Sequence, residues 1–366
     1  MILKKKKYIK HFIVLIILAS CATTSENMLV NSSAPEEGDL RNFQEIFDYE
    51  SYALDDLENL QRIIDSEILN QEQLRDTKLL INNYKKILSK KNYTLELKPD
   101  QKYSKELIEL IYKFGLPIQI SWNEKNKNSI PENLLTNKIN GFCSSLYDDA
   151  IASINKEITR DSDSILVIFS KEYASFINAL KLNDSELITI EYNSTNFQEF
   201  SAKVLGVDFS EKRFKKISDI NPNQNIKFNP RPRTDLNQVI VFLKPQEYKS
   251  MIPALRYHGN SNFKYINFIS SMEDITDPKQ LLDYEDSWVP ISRNLTSKVK
   301  NDSAATLERF LVLGALNEWL LIQILDQAGV QSAKINGVTG NLVFRSNSCT
   351  ERITPLQKIS ADLFLS

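Results

Sequence analysis

The chain has 366 residues, of which 42% are hydrophobic and 25% charged, a composition typical of a globular protein with a substantial core. It contains nine glycines and no GxGxxG or GxxxxGKS/T motif, which excludes the common glycine-rich phosphate loops. Its two histidines, His11 and His258, are too few for a multi-histidine zinc site, and no GxSxG elbow is present. We therefore expect a protein that is not an enzyme and that needs no metal or cofactor.

The first twenty residues predict a bacterial lipoprotein signal peptide. Lysines precede an apolar run at 12–18, which is too short to span a bilayer. The sequence Leu-Ala-Ser-Cys that ends at Cys21 matches a lipobox, so we expect Cys21 to be acylated and to become the N-terminus. The alternative is an ordinary secretory signal with a cysteine there by chance. Ala22, rather than an aspartate, follows Cys21, which favours lipid anchoring in the outer membrane, facing the periplasm.

The rest of the chain divides into a tether, a helical segment and an α/β region. Small polar residues with proline and glycine at 21–40 predict a flexible tether. Apolar residues at helical spacing predict a short helical segment of two helices at 41–92, and strands alternate with helices from 93 to 366. The predicted strands lie at 93–97, 118–120, 165–169, 187–190, 239–243 and 265–269, followed by a turn and strand at 337–344 and one more possible short strand in the tail. The main predicted helices lie at 103–114, 147–158, 173–180, 197–205, 248–258 and 304–327.

The stretch at 230–269 contains the clearest βαβ pattern. A strand, a helix and a second strand follow one another, which predicts parallel strands joined by a right-handed crossover. Pro253 falls inside the predicted helix, where proline removes a backbone hydrogen bond, so we expect a kink in the last turn. A basic, proline-stiffened approach with Arg231, Arg233 and Asp235 precedes the first strand.

This stretch, PRPRTDLNQVIVFLKPQEYKSMIPALRYHGN, resembles the LppC family of outer-membrane lipoproteins, which activate class A penicillin-binding proteins. The family pattern is an arginine-rich turn, an aspartate, a buried strand, and a helix that begins with proline and ends with an aromatic residue and a histidine. The matching residues are Arg231, Arg233, Asp235, Pro245, Pro253, Tyr257, His258 and Gly259. Further matches run from about residue 93 to the end of the chain, and they include Gly206, Trp288, Trp319 and the run from Gly337 to Leu342.

The resemblance implies a fold and a partner. The fold is α/β and similar to type 1 periplasmic binding proteins, with two lobes of mostly parallel sheets around a cleft, and the partner is a class A penicillin-binding protein. Long family members carry an N-terminal helical-repeat domain, which the short helical segment at 41–92 replaces here. The family's first strand is also missing, so we expect the first lobe of the domain at 93–366 to be reduced.

Two cysteines and one pair of acids are further candidates for special roles. Cys143 and Cys349 would lie in an oxidising compartment, and the sequence leaves open whether they form a disulfide or remain two buried thiols. Asp148 and Asp149 are adjacent, and neighbouring acids are more often a helix N-terminus or a solvated face than a catalytic carboxylate pair.

The charge is distributed unevenly. Without the leader the chain carries 40 basic and 47 acidic residues, which disfavours binding to nucleic acid or to an anionic membrane. The segment 211–256 nevertheless contains ten basic and four acidic residues. One interpretation is a docking face where Arg231 and Arg233 contact carboxylates of a partner. The other is that the lysines only increase solubility, and that Arg233 pairs with Asp235 at the entry to the strand.

These observations lead to two main functional expectations. The first is a non-catalytic lipoprotein of the outer membrane that binds and activates a class A penicillin-binding protein, a partner that the resemblance alone implies. The second is a solute-binding lipoprotein that closes on a small ligand. A structural relative without activator activity is a third alternative.

Overall fold

The computed structural model describes most of the α/β region and part of the helical segment before it. The described residues are 69–99, 101–114, 116–124, 130–158, 164–180, 187–220, 222, 227–259, 263–293, 295 and 305–360, with six positions between 57 and 65. The predicted signal peptide, Cys21 and the predicted tether lie outside these residues, and so does most of the first predicted helix.

Helices and strands alternate as the sequence predicts. In chain order the structure contains α1 (Gln71–Ser89), β1 (Tyr93–Leu97), α2 (Ser104–Phe114), β2 (Ile118–Trp122), α3 (Leu146–Ile158), β3 (Ser164–Phe169), α4 (Ala174–Ile177), β4 (Leu187–Glu191), α5 (Phe197–Val204), α6 (Val207–Ile220), β5 (Leu236–Phe242), α7 (Pro245–His258), β6 (Lys264–Asn267), β7 (Ser287–Pro290), α8 (Leu307–Gln327), β8 (Ser332–Asn336), β9 (Asn341–Arg345), β10 (Glu351–Ile353) and β11 (Leu356–Lys358). Short 3-10 helices at Lys171–Tyr173, Ile269–Met272 and Pro278–Tyr284 complete this set.

The main sheet has six strands in the order β11-β7-β6-β5-β3-β4. Its neighbouring strands are parallel except at one edge, where β11 pairs antiparallel with β7. Continuous apolar runs form the central strands β3 and β5, because strands in the middle of a parallel sheet are covered by other elements on both faces. The predicted α/β class with a mostly parallel sheet is therefore confirmed.

The strand order identifies the edge of the sheet where a site is expected. Counted from β3, the five parallel strands have the order 2-1-3-4-5, one of the two common orders of doubly wound α/β sheets. In this order the direction of winding reverses between β3 and β5. Ligands of such sheets bind outside the carboxyl ends of the two strands at this switch point.

The stretch at 230–269 forms the βαβ unit predicted from the sequence. β5 and β6 are parallel neighbours, and α7 connects them. Pro245 occupies the first turn of α7, where the missing N–H of proline costs no helical hydrogen bond. The helix continues through Pro253 and ends at His258.

A smaller unit precedes the main sheet. β1 and β2 form a two-stranded parallel sheet with α2 between them in sequence, and α8 packs against α1, α2 and β1. Among the described residues, α8 is a helix long and apolar enough to cross a membrane, but most of it is buried in the protein, as in a core helix. The side chain of Trp319 in α8 is almost fully buried. One continuous apolar core includes residues of this unit and of the main sheet.

The C-terminal sheet differs from the sequence-based expectation. β8, β9 and β10 form an antiparallel sheet, whereas the sequence predicts a turn and strand at 337–344, which contains β9, and one more possible short strand in the tail. α1 lies beside the edge strand β8, where the Asn83 amide donates a hydrogen bond to the carbonyl of Ser332 at 2.9 Å. The helix predicted at 173–180 is shorter, since a 3-10 turn precedes α4. The apolar residues around Trp288 form the strand β7.

Candidate functional site

Hydrogen bonds join the carboxyl ends of β3 and β5 at the switch point. The backbone N–H of Ser170 donates to the carbonyl of Phe242 at 2.9 Å. The Ser170 hydroxyl donates to the carboxylate of Glu247, which also accepts the backbone N–H of Lys244 at 3.1 Å. The Lys244 ammonium lies 2.8 Å from Glu172. A carboxylate of the chain itself thus occupies the N-terminus of α7, a place that would otherwise favour an anion, so this crevice disfavours an anionic ligand.

A second acid, Glu273, lies just beyond the carboxyl end of β6. The hydroxyl of Tyr147 on α3 donates a hydrogen bond to it. Burial raises the pKa of Glu273 from 4.5 to about 7, the hydrogen bond from Tyr147 opposes this rise, and the nearby charge of Glu308 adds to it. A carboxyl group with this pKa is partly protonated near neutral pH.

Tyr147, which binds this acid, belongs to a cluster of aromatic rings. The ring of Phe268 lies 4.7 Å from that of Tyr147, 5.7 Å from that of Phe176 and 6.2 Å from that of Tyr173, measured between centroids. These edge-on and tilted contacts show that the rings pack against one another. A carboxylate beside aromatic rings has the chemistry to bind a cationic group, such as an ammonium.

The two arginines that the sequence suggested as partner contacts, in the basic approach to β5, have different environments. Arg233 binds Asp235, with its Nε 3.0 Å from the carboxylate, and this hydrogen bond lowers the pKa of Asp235. The backbone N–H of Arg233 also donates to the carbonyl of Leu205 at 2.8 Å. Arg231, by contrast, is exposed. The structure therefore gives Arg233 the local role that was the alternative interpretation, and leaves Arg231 available to a partner.

The disulfide that the sequence left open is present in the structure. Cys143 and Cys349 are bonded, with their Cα atoms 4.9 Å apart. The backbone groups around them are also paired, since Cys143 N–H donates to the Thr350 carbonyl at 3.0 Å and Thr350 N–H donates to the Gly141 carbonyl at 2.7 Å. The segment before α3 is thus fastened to the end of the C-terminal sheet.

A buried ionic network lies beside this disulfide. Arg352 is almost fully buried, and its Nη1 lies 3.0 Å from Asp149 of α3 while its Nη2 lies 3.8 Å from Glu318 of α8. Burial raises the pKa of both acids, and Arg352 opposes the rise in each case. The guanidinium carbon of Arg352 also lies 4.3 Å from the ring centre of Phe142. One cation is therefore shared between two acids on different helices.

Thr339 completes the contacts of Glu318. Its backbone N–H donates to the carboxylate at 2.8 Å, and its hydroxyl donates to the second oxygen. Gly337 is required beside it, because an added Cβ would lie 2.3 Å from the nearer oxygen of Glu318. This packing indicates a structural role for the network.

The adjacent acids Asp148 and Asp149 have different roles. Asp148 accepts hydrogen bonds from the backbone N–H of Ser145 at 3.1 Å and from its hydroxyl at 2.7 Å, close to the N-terminus of α3. Asp149 binds Arg352. Asp148 therefore belongs to a helix N-terminus, one of the interpretations that the sequence favours, and Asp149 to a buried ion pair. His258 is the last residue of α7, and its ring contacts that of Tyr257 at 4.9 Å.

Sequence reasoning missed the partners that lie far apart in the chain. Glu273 and Tyr147 are 126 positions apart, and Arg352 and Asp149 are 203 apart. No local pattern marks either pair. Cys21, the predicted lipid attachment residue, lies outside the described residues. Within the described residues, no group of three or more His, Cys, Asp or Glu side chains is arranged to hold a metal ion.

Comparisons with known proteins do not assign the chain to a family. No family model matches it, and no curated protein matches its sequence. Among solved structures, the Rp1789 protein of Rhodopseudomonas palustris strain CGA009 is 8% identical, with a TM-score of 0.29 over 83% of this chain and 91% of that one. An ABC transporter permease from the Pseudomonas fluorescens group is 10% identical, with a TM-score of 0.30 over 75% of this chain and 94% of that one. Similarities this low carry no argument about fold or function.

Proposed function

We propose that this protein is a non-catalytic lipoprotein of the outer membrane that binds a class A penicillin-binding protein and stimulates peptidoglycan synthesis. In this proposal Cys21 carries the acyl chains, and the α/β region is a short LppC-type domain similar to type 1 periplasmic binding proteins. The proposal rests first on the resemblance of the stretch at 230–269. That stretch forms β5, α7 and β6 of the main sheet, and the exposed basic approach at Arg231 leads into it.

The exposed position of Arg231 is the observation that carries the docking part of the proposal. A planar guanidinium in a loop can bind a carboxylate of a partner through two hydrogen bonds. The neighbouring Arg233–Asp235 pair and the bond from Arg233 to Leu205 hold this loop in place. Arg231 can therefore be changed without removing those contacts.

The test is retention of a class A synthase by the immobilised mature chain, followed by a glycan-polymerisation assay. Arg231→Glu is expected to keep the melting temperature of the parent and to weaken synthase binding, with a larger effect at low salt. Lys138→Glu makes the same change in charge at an exposed lysine elsewhere on the surface, and serves as the control. Absence of any synthase from the retained material, or stimulation by Arg231→Glu equal to that of the parent, would argue against the proposal.

A second candidate function is binding of a small cationic solute. Glu273, hydrogen-bonded to Tyr147 at the carboxyl edge of the sheet, favours it, because a partly buried carboxylate beside an aromatic ring can bind an ammonium group. A panel of small amines and amino acids, tested by thermal shift, distinguishes the two functions. A shift that disappears in Glu273→Gln would favour solute binding, and no shift with any amine would leave the regulator as the better proposal.

A further inference from the structure

Helix α6 is held to the protein by few of its side chains. Val207 is its only fully buried residue, and the ring of Phe214 packs at a tilt against that of Phe228 with centroids 4.8 Å apart. Phe228 lies in the loop that leads to Arg231, so this contact also places the basic approach to β5 beside α6. The remaining side chains of α6 are partly or fully exposed.

The face of α6 that points away from the protein combines apolar and cationic side chains. At 3.6 residues per turn, positions 209, 213, 216 and 220 fall on one line along the helix, with 212 and 217 on either side. We define the outward face of α6 as Phe209, Lys212, Arg213, Lys216, Ile217 and Ile220. Phe209 is 64% exposed and Ile220 is 75% exposed, which is unusual for large apolar side chains on a packed helix.

The acidic residues of α6 lie to one side of the outward face. Asp208 and Asp219 fall within about 40° of Lys212 at the border of the face, and Glu211 lies further round the helix. Lys212 pairs with Asp208 at 3.5 Å at the border of the face, with its ammonium 5.5 Å from the ring centre of Phe209. Among the described residues, Arg213 and Lys216 form no ion pair. Two cations on this face are therefore available to an external anion.

The arrangement fits a lipid surface better than a protein partner. Protein interfaces usually have an apolar centre with charges at the rim. On α6 the order is reversed, since Phe209 and Ile220 lie at the two ends and cations lie between them. In an interfacial helix, apolar side chains enter the acyl region while lysine and arginine extend to the lipid phosphates. A single exposed helix is also convex, a shape suited to a flat surface.

We propose that the outward face of α6 docks on a membrane surface that carries anionic phospholipid headgroups. The net negative charge of the whole chain opposes this docking, but charges more than about 8–10 Å away are largely screened at physiological salt. The local charge of the face therefore dominates. Exposed Lys227, in the loop beside α6, would add to its attraction for phosphate. The inference is independent of which protein partner the molecule has.

Co-sedimentation with vesicles tests the proposal. The mature chain expected from the lipobox, with Cys21→Ser to prevent acylation, is mixed with vesicles of phosphatidylcholine alone or of phosphatidylcholine with phosphatidylglycerol. We expect binding to the anionic vesicles only. Arg213→Glu with Lys216→Glu should lower the vesicle affinity by at least about tenfold, since each cation near an anionic surface contributes to binding. Phe209→Ser with Ile220→Ser should weaken binding at high salt as well, because it removes the apolar contribution.

A matched control distinguishes the effect of the outward face on vesicle binding from the effect of the net charge of the protein. Lys85→Glu with Lys138→Glu reverses two exposed lysines on α1 and before α3, and it should leave vesicle binding unchanged. Equal loss of binding in this control, or equal binding of the parent to neutral and anionic vesicles, would overturn the proposal. Failure of the parent to bind either kind of vesicle would also overturn it.

A fluorescent reporter locates the contact. Phe209→Trp places an indole on the outward face, and its emission should shift to the blue on addition of anionic vesicles as the ring leaves water. Tyr112→Trp places an indole at a site that is 81% exposed on α2 and should show no shift. The same shift at both positions, or a shift only at position 112, would contradict docking through α6.

Discussion

The side-chain amide of Gln327 forms hydrogen bonds with both backbone groups of Thr94. Its oxygen accepts the Thr94 N–H at 3.0 Å, and its nitrogen donates to the Thr94 carbonyl at 2.7 Å. Thr94 lies in β1, whose other edge pairs with β2. A single side chain at the end of α8 thus satisfies both backbone groups of Thr94 at this edge of the strand.

Gln327→Ala is expected to destabilise the protein by about 1–2 kcal/mol, because it removes both hydrogen bonds from a strand edge. Chemical denaturation measures the change, and amide exchange at Thr94 should become faster. Asp326→Ala, at the exposed residue next to it, is the control and should have little effect. Unchanged exchange at Thr94 would show that the amide does not protect this edge.

The acid Glu273 should make the stability depend on pH. Its pKa in the folded protein is about 7, above the ordinary value of 4.5, so the folded state favours the protonated form. Its contribution to stability is therefore complete below pH 4.5 and is lost as the pH rises through about 7, by up to roughly 3 kcal/mol. Glu273→Gln should be more stable than the parent at pH 8 and should lose this part of the pH dependence.

Denaturation curves at several pH values test this expectation. Glu308→Gln provides a second measurement, because removing the charge that raises the pKa of Glu273 should move the transition to lower pH. Identical pH profiles for the parent and for Glu273→Gln would contradict the assignment.

Arg352→Met should destabilise the protein strongly at neutral pH. It leaves Asp149 and Glu318 buried without their shared cation, a change that typically costs about 3–5 kcal/mol. Both acids should then be easier to protonate, so the variant should regain part of its stability as the pH falls. Arg345→Met removes an exposed ion pair with Glu351 and should cost less than about 1 kcal/mol. Similar effects of the two substitutions would show that the buried network is not important.

Cys21→Ala tests the predicted anchor. The variant should lack acyl chains and should leave the outer-membrane fraction, because those chains supply the anchoring free energy. Membrane fractionation and intact mass measure both effects. If the variant still carried the added mass of acyl chains and stayed in the outer-membrane fraction like the parent, acylation at Cys21 would be excluded.

The sequence predicts local features of this fold better than distant ones. The apolar runs of β3 and β5 are sufficient to identify buried parallel strands, since their pattern is continuous. β8 has only the five residues SAKIN, in which two apolar residues alternate with polar ones, so the sequence indicates a strand there only weakly. The strand at Trp288 is not predicted either, because it has only four residues and ends in proline, which is rare inside strands.

The same distinction applies to the candidate site. The pairing of Arg233 with Asp235 spans two positions and is visible as an alternative in the sequence. The pairing of Arg352 with Asp149 depends on how α3 meets the C-terminal sheet, which no local pattern encodes. The bond between Cys143 and Cys349 depends on the same packing, so the sequence leaves it open.

The disulfide also determines the order in which the protein can be completed. Cys143 and Cys349 are separated by 206 positions, and five of the six strands of the main sheet lie between them. Because a chain is synthesised from its N-terminus, this covalent ring can close only after those five strands have been made. Once it is closed, a single proteolytic cut inside the ring leaves both fragments attached to each other. A chain that stopped before Cys349 would instead keep a free thiol at Cys143 and an open ring.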